Sequence, residues 1–389
     1  MRNSLKRQCN TVALFTTSGY DLISTAVIST AVFLQRCGYQ VDLFTIASDK
    51  FAPPEFLEPS IRCIAFKQRH QFYFPGMGQI RSLWFYAQAS HGRKHRFLVG
   101  FDPGGLRNAA LLGMLWQIPF VYHSLEIVCE DTLTTRRQRL AKWIDRMLSA
   151  RALLTLTQDK ARADILVREN HLPREKIAVV PNAALGEPMP EKSRWLRDKF
   201  GIEDSKVIVL ATGSLIPEHM IEEIVRSVPT WPSQFVLMAH GWFADPGFEE
   251  HIRGLVGNCD GRVYLSTELL PASQKYLVFQ SADIGLALYR PVNDNFRYVG
   301  AAAGKVFDFC RCGIPVIAND LPGFDRLIKH KGCGEVVRDC SEIGPALVQV
   351  AIFRERYSRS AIETFLEYEF SRNYEPVLRR IETAAYKKR

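Results

Sequence analysis

Residues 301–305 read Ala-Ala-Ala-Gly-Lys, and Asp308 follows three positions later. Four positions with almost no side chain let a ligand approach the backbone closely. Where such a loop feeds a helix, the first N–H groups are unpaired and the dipole end is positive, which receives phosphate. Lys305 adds a full positive charge in that first turn. Asp308, one turn further in, is placed to accept hydrogen bonds from a ribose diol. Arg290 and Arg297 lie in the stretch just before and are further candidate anion ligands. Residues 305–312 have Phe307, Phe309 and Cys310 at helical spacing and stop at Gly313. Residues 314–318, Ile-Pro-Val-Ile-Ala, then read as a buried parallel strand.

Two other places carry chemistry. Ser18-Gly19-Tyr20 follows a first apolar strand, and Gly19 there can admit a diphosphate, although the run is not G-x-G-x-x-G. Residues 120–126, Phe-Val-Tyr-His-Ser-Leu-Glu, put His123 and Glu126 at the end of a buried strand. That is where α/β folds place function, and both groups can bond sugar hydroxyls or shuttle a proton. The chain has no Asp-x-Asp to clamp a diphosphate-bound metal, so no metal is expected. Cationic side chains and a helix dipole take that part.

The elements that must position these groups alternate strand, helix, strand, which predicts an α/β fold with parallel sheets. Strands are read at 11–17, 41–46, 97–101, 119–123, 153–156 and 176–180. Asp102-Pro103-Gly104-Gly105 reads as a turn before a helix that runs to about Trp116. Residues 183–190, small and proline-rich, form the linker, and a second series follows at 206–211, 235–239, 263–265, 284–288, 314–318 and 335–337. Two doubly wound halves in tandem predict a cleft between facing strand ends. A basic helix is expected over 132–151. Leu140, Trp143, Ile144, Met147 and Leu148 share one face; Arg136, Arg137, Arg139, Lys142 and Arg146 lie largely elsewhere. The preferred reading sets the apolar face on the core; the other lays it on anionic lipid. The segment 72–95, with Tyr73, Phe74, Trp84 and Tyr86 and then His91, Arg93, Lys94 and His95, suits an acceptor groove or a membrane contact.

A chain of 389 residues predicts two domains. Its net charge of +9 asks for an anionic partner. No zinc finger, RNA-binding signature or interleaved aromatic-basic stripe is present, so nucleic acid is not expected. Anionic lipid or anionic substrates suit the charge. No apolar run is long enough to span a bilayer. The basic start reads as a lead into the first strand and not as a signal peptide. Nine scattered cysteines without zinc spacing predict reduced thiols in the cytoplasm.

The segment 295–322 resembles the donor-binding signature of glycosyltransferase family 4, a Glu-x7-Glu loop-helix followed by Cys-Gly, Pro-Val-Ile and a turn. Asp308 matches the second glutamate, and Cys312, Gly313, Pro315, Val316 and Ile317 match the tail. Gly300 stands where the first glutamate usually is. The resemblance extends to residues 177–182, to 262–265 with 281–284, and to 370–386. It implies two tandem Rossmann-like domains of the GT-B type with an interdomain cleft: an acceptor domain at 1–184, a donor domain at 185–369, and a helix at 370–389 returning to the first. It implies a metal-independent transfer, with retention, of a hexose, first guess glucose, from a UDP-sugar. The acceptor would be a glycan or lipid-linked acceptor of surface polysaccharide synthesis, with peripheral contact at the inner face of the membrane. His123, Glu126 and Lys305 take the catalytic roles. Gly19, Gly213, Ser214, Leu269, Arg290, Arg297, Ala301, Ala302, Ala303, Gly304, Lys305 and Asp308 hold the donor. The family commonly has Gly-Arg-Leu where this chain has Gly213-Ser214-Leu215, with a lysine soon after; Pro217-Glu218-His219 supplies none. Lys305, the amides of Ala302, Ala303 and Gly304, and Arg290 or Arg297 must then carry the diphosphate charge. A nucleotide-sugar epimerase of the same fold and a non-catalytic nucleotide-binding scaffold are the alternatives.

Overall fold

The computed structural model describes residues 10–17, 24–47, 59–67, 77–257 and 259–387. The chain divides into two compact units, residues 1–181 with 370–389, and residues 182–369.

The first unit runs β1 (Thr11–Phe15), α1 (Thr25–Arg36), β2 (Gln40–Ile46), β3 (Ile61–Phe66), α2 (Met77–Ala89), β4 (His95–Phe101), α3 (Asp102–Trp116), β5 (Phe120–His123), α4 (Arg136–Ser149), β6 (Thr155–Thr157), α5 (Lys160–Asn170) and β7 (Ile177–Val179). Its seven strands pair in parallel in the order β3-β2-β1-β4-β5-β6-β7. The central strands are apolar on both faces, as helix cover on both sides requires: Val12, Ala13, Leu14 and Phe15 of β1 are all fully buried. β3 is missing from the sequence reading. It is an edge strand whose apolar run is broken by Arg62, which pairs with the buried Asp42 of β2 at 2.9 Å.

Two expectations are corrected here. Asp102-Pro103-Gly104-Gly105 is no separate turn: it is the first turn of α3, which starts straight off β4. The direct junction is possible because Asp102 takes a left-handed φ of 53° and Gly105 lies against β1, where a Cβ would fall 2.3 Å from the Phe15 carbonyl oxygen. In α4 the preferred reading holds only in part: Leu148 and Ile144 pack on the core, but the inward face is turned towards polar residues. Lys142, Asp145, Leu148 and Ser149 are buried, whereas Leu140 and Trp143 are 58% and 53% exposed. Each buried charge is paired. Lys142 donates from Nζ to the Val128 carbonyl and to Asn170 Oδ1, both at 2.6 Å, and Asp145 takes both arms of Arg107 at 2.9 Å.

The second unit runs α6 (Trp195–Phe200), β8 (Val207–Ser214), α7 (Ile221–Ser227), β9 (Phe235–Trp242), α8 (Pro246–Val256), β10 (Val263–Ser266), α9 (Lys275–Gln280), β11 (Ile284–Ala287), α10 (Asp294–Arg297), α11 (Gly304–Arg311), β12 (Val316–Asn319), β13 (Gly334–Val337), α12 (Ile343–Ile352) and α13 (Arg354–Tyr368). Its six strands pair in parallel in the order β10-β9-β8-β11-β12-β13. Helix α14 (Phe370–Lys387) counts with the first unit, where Phe370 and Tyr374 meet the Phe33 ring of α1 edge-on at 6.0 and 5.5 Å. In each sheet the strand order reverses once, between β1 and β4 and between β8 and β11, and ligands of such sheets bind beyond the carboxyl ends of the strands at those reversals.

Candidate functional site

The reversal in the second sheet gathers most of the expected anion ligands. β8 ends in Gly213-Ser214, and Gly213 takes φ 108°, a conformation open to glycine and strained for any side chain. Gly213 adjoins Lys305 of α11: a Cβ built there would stand 3.7 Å from its Nζ, in ordinary contact. The same ammonium lies 5.2 Å from the centre of the Tyr289 ring. Tyr289 follows β11 and is fixed from β12. Its N–H donates to Asn319 Oδ1 at 2.9 Å, and Asn319 Nδ2 donates back to its carbonyl at 2.7 Å. The two loops of the reversal are tied by the Arg290 N–H, which donates to the Glu218 carbonyl at 2.8 Å.

His219 completes the cluster. Its ring meets Tyr289 at right angles, 5.1 Å between centroids, and its Nδ1 is 2.6 Å from the Ser214 carbonyl. A carbonyl only accepts, so Nδ1 carries the proton. Burial, and then the Lys305 charge, push the His219 pKa down to about 3. The ring is therefore neutral, Nε2 keeps a lone pair, and the site gains no second cation. Among the described residues Lys305 has no carboxylate partner, and burial alone pushes its pKa down to about 8. A desolvated ammonium without a counter-ion is a seat for an anion.

The loop ahead of α11 is a 3-10 turn, Gly300–Ala302. It corrects part of the expectation. The N–H of Ala302 donates to the Val299 carbonyl, and that of Ala303 to the carbonyls of Val299 and Gly300, so neither faces a ligand. The Gly304 and Lys305 amides precede the first bond of the helix and remain for a phosphate. Asn182 anchors the turn. Its N–H donates to the Ala301 carbonyl at 2.9 Å, and its Nδ2 to the Ala302 carbonyl at 3.0 Å.

Asp308 is not an open acceptor. It is buried, its Oδ1 receives the Tyr276 hydroxyl at 2.9 Å and its Oδ2 lies 2.6 Å from Lys275 Nζ. Each oxygen retains a second lone pair, and Lys275 stands at the surface side of the pair, one-third exposed. Arg290 is taken by an ion pair with Glu223. Arg297 is exposed on α10, and Leu269 is exposed in the loop after β10. Gly19 lies outside the described residues.

In the first unit, His123 ends β5 and is buried, with Phe101 5.2 Å away. Both ring nitrogens lack a hydrogen-bond partner, and burial pushes its pKa down to about 3. Two orphaned buried nitrogens are costly and mark a place where a polar ligand group would be welcome. The next residues are held rigidly. Asp102 Oδ1 accepts from the N–H groups of Leu125 and Glu126 at 2.8 Å each, and the buried Arg162 donates to the Leu125 carbonyl at 2.5 Å. The Glu126 side chain is exposed.

His219, Tyr289, Lys275 and Tyr276 escaped the sequence reading. His219 lies in the loop searched for a lysine, and Tyr289 directly precedes Arg290; a wider search around those positions would have found both. Lys275 and Tyr276 carry no signal, because only the fold brings α9 to Asp308. Among the described residues, no three His, Cys, Asp or Glu side chains gather to hold a metal ion, and no helix is long and apolar enough to cross a membrane.

Residues 23–183 match the model of the glycosyl transferase 4-like domain. A curated relative, chitobiosyldiphosphodolichol beta-mannosyltransferase of Candida albicans, is 24% identical over 221 residues, 52% of this chain. The aligned stretch spans about half, 46%, of that relative's length. Among solved structures, sucrose-phosphate synthase from Thermosynechococcus elongatus superposes with a TM-score of 0.72 at 14% identity, covering 97% of this chain and 98% of its own. Anabaena HepE, solved in complex with UDP and glucose, gives 0.72 at 14% identity, covering 96% and 98%. These likenesses establish the expected two-Rossmann fold of GT-B glycosyltransferases.

Proposed function

We propose that this chain, whose residues 23–183 form a glycosyl transferase 4-like domain, moves a sugar from a nucleotide-activated donor to an acceptor hydroxyl. One observation carries the reading: Lys305, a desolvated ammonium with no counter-ion, stands at the strand reversal of the second sheet beside the open amides of Gly304 and Lys305. A departing nucleoside diphosphate develops negative charge, and stabilising it is worth several kcal/mol. HepE binds UDP-glucose in a chain of this fold, which makes UDP-glucose the first donor to test and a hexose the transferred group. The ribose lies at the Asp308–Lys275 pair. His123, with its two free nitrogens, meets sugar or acceptor hydroxyls, with Glu126 beside it. The transfer retains anomeric configuration and needs no metal, since Lys305 and the helix terminus supply the positive potential. The acceptor is a glycan or lipid-linked acceptor of surface polysaccharide.

A thermal-shift screen of UDP-, GDP-, ADP- and CMP-sugars tests this, because a ligand of the folded state raises the melting temperature. UDP-glucose should raise it, and Lys305→Ala should abolish the shift. No shift with any nucleotide sugar rejects the proposal. A second reading, a nucleotide-binding scaffold without turnover, is favoured by the neutral His219 and by Ser214, which leave one cation at the seat. Donor hydrolysis or transfer above background, unaffected by a chelator, excludes the scaffold.

A further inference from the structure

His219 brings to the anion seat a group of opposite character to Lys305. It is held rigidly. The 3-10 turn that carries it, Pro217–His219, is closed by the His219 N–H, which donates to the Ile216 carbonyl at 3.0 Å. Its ring packs against Tyr289 and Phe296, at 5.1 and 6.0 Å between centroids. Its Nδ1–H is taken by the Ser214 carbonyl. The other nitrogen, Nε2, has no hydrogen-bond partner among the described residues, and unlike the two His123 nitrogens it is not sealed from solvent. The Lys305 charge is close enough to depress the basicity of the ring, so a ligand held by the ammonium comes within reach of Nε2.

The two groups make unlike demands. Lys305 Nζ donates and wants an anion, whereas the neutral ring can only accept at Nε2. Ionised phosphate oxygens also only accept. One set against Nε2 would meet a lone pair and lose a bond to water without replacement. The partner of Nε2 must therefore carry a proton on oxygen or nitrogen, close beside a phosphate. A free nucleoside diphosphate ends in acceptor oxygens once its last proton is lost. A nucleotide sugar ends in hydroxyls, and the one nearest the phosphate is on C2, next to the anomeric carbon. The loop ahead of Lys305 offers that hydroxyl no rival side chain, because residues 300–304 are glycine and alanine.

We propose that His219 is the residue by which this chain tells a nucleotide sugar from the nucleotide left after transfer: Nε2 accepts a hydrogen bond from the C2 hydroxyl of the donor sugar while Lys305 holds the phosphate beside it. The inference rests on the sugar-transfer reading and deepens it. The product nucleotide loses that bond and turns bare oxygens towards a lone pair, which speeds its release. The test is titration calorimetry of the full-length chain at pH 7.5 with UDP-glucose, UDP-2-deoxy-2-fluoroglucose, which has no proton to give at C2, and UDP. UDP-glucose should bind roughly tenfold more tightly than either of the others, the worth of one hydrogen bond. His219→Phe keeps a ring against Tyr289. It should bring UDP-glucose down to the level of the fluoro analogue and leave the analogue itself unmoved. His219→Lys should reverse the order and favour UDP. Failure of all three ligands to bind rejects the sugar-transfer reading and this inference with it. Binding without discrimination, or a His219→Phe variant that weakens all three ligands alike, overturns this inference alone. Proton uptake on UDP binding that His219→Phe removes, read from the buffer dependence of the heat, would put an imidazolium on the phosphate and overturn it likewise.

Discussion

Lys305 Nζ faces the Tyr289 ring at 5.2 Å in place of a carboxylate. An aromatic face returns on the order of 1 kcal/mol to a cation, less than burial takes from it. The Lys305 ammonium is thus held charged against its surroundings at neutral pH, and its thermodynamics can be read.

Lys305→Met should stabilise the ligand-free chain while removing affinity for UDP. The sign follows from linkage. The folded-state pKa, about 8, lies below the ordinary 10.5. Below pH 8 the lysine is charged in both states and folding bears the full cost. As pH rises towards 10.5 the unfolded chain keeps more protons, and the cost is relieved. A gain on the order of 1 kcal/mol is expected at pH 7. Calorimetry of the variant with and without UDP checks both halves; a lower melting temperature together with intact UDP binding would refute the assignment.

UDP affinity should fall as pH rises through about 8, where the ammonium deprotonates. His219, with its pKa pushed down to about 3, contributes no limb between pH 5 and 7. Titration calorimetry at a series of pH values decides it, and constant affinity from pH 7 to pH 10 would mean that the phosphates are held elsewhere.

His123→Ala should lower turnover more than nucleotide affinity. His123 is neutral at working pH, its pKa being pushed down to about 3, so the variant should leave the shape of the pH–rate profile unchanged. Loss of a limb near pH 6.5 in the variant would show that the histidine titrates during the reaction.

Asp308→Asn keeps an acceptor for the Tyr276 hydroxyl but removes the charge opposite Lys275. UDP binding should weaken by roughly 1–3 kcal/mol, the scale of a hydrogen bond to a charged group. Unaltered affinity would remove the pair from the ribose site.

The sheets were legible where strands are buried on both faces, since runs such as residues 207–211 and 235–239 admit little else. β3 was not, because an edge strand tolerates Arg62 and loses the pattern. Lys305 stood out by its spacing from the small-residue loop. The engagement of Asp308 by Lys275 and Tyr276 could not be read, since it joins α9 to α11 through the fold. The face of α4 was misjudged in part for a similar reason: Leu148 and Ile144 pack inward as expected, whereas Leu140 and Trp143 do not. Periodicity shows that a stripe is apolar but not which side of the helix meets the sheet, and Lys142 and Asp145 are internal only because Val128, Asn170 and Arg107 satisfy them.

Those polar locks have an evolutionary corollary. Spinning α4 about its axis to hide Trp143 would pull the Lys142 ammonium off Asn170 and strand Asp145 from Arg107, and breaking a buried charge pair costs about 3–5 kcal/mol. The helix is keyed like a bolt. A lineage that ceased to need its greasy exterior would have to repaint Leu140 and Trp143 one residue at a time, because rotation is barred. Where these two positions stay apolar among descendants of this chain, selection is acting on the outside of the molecule.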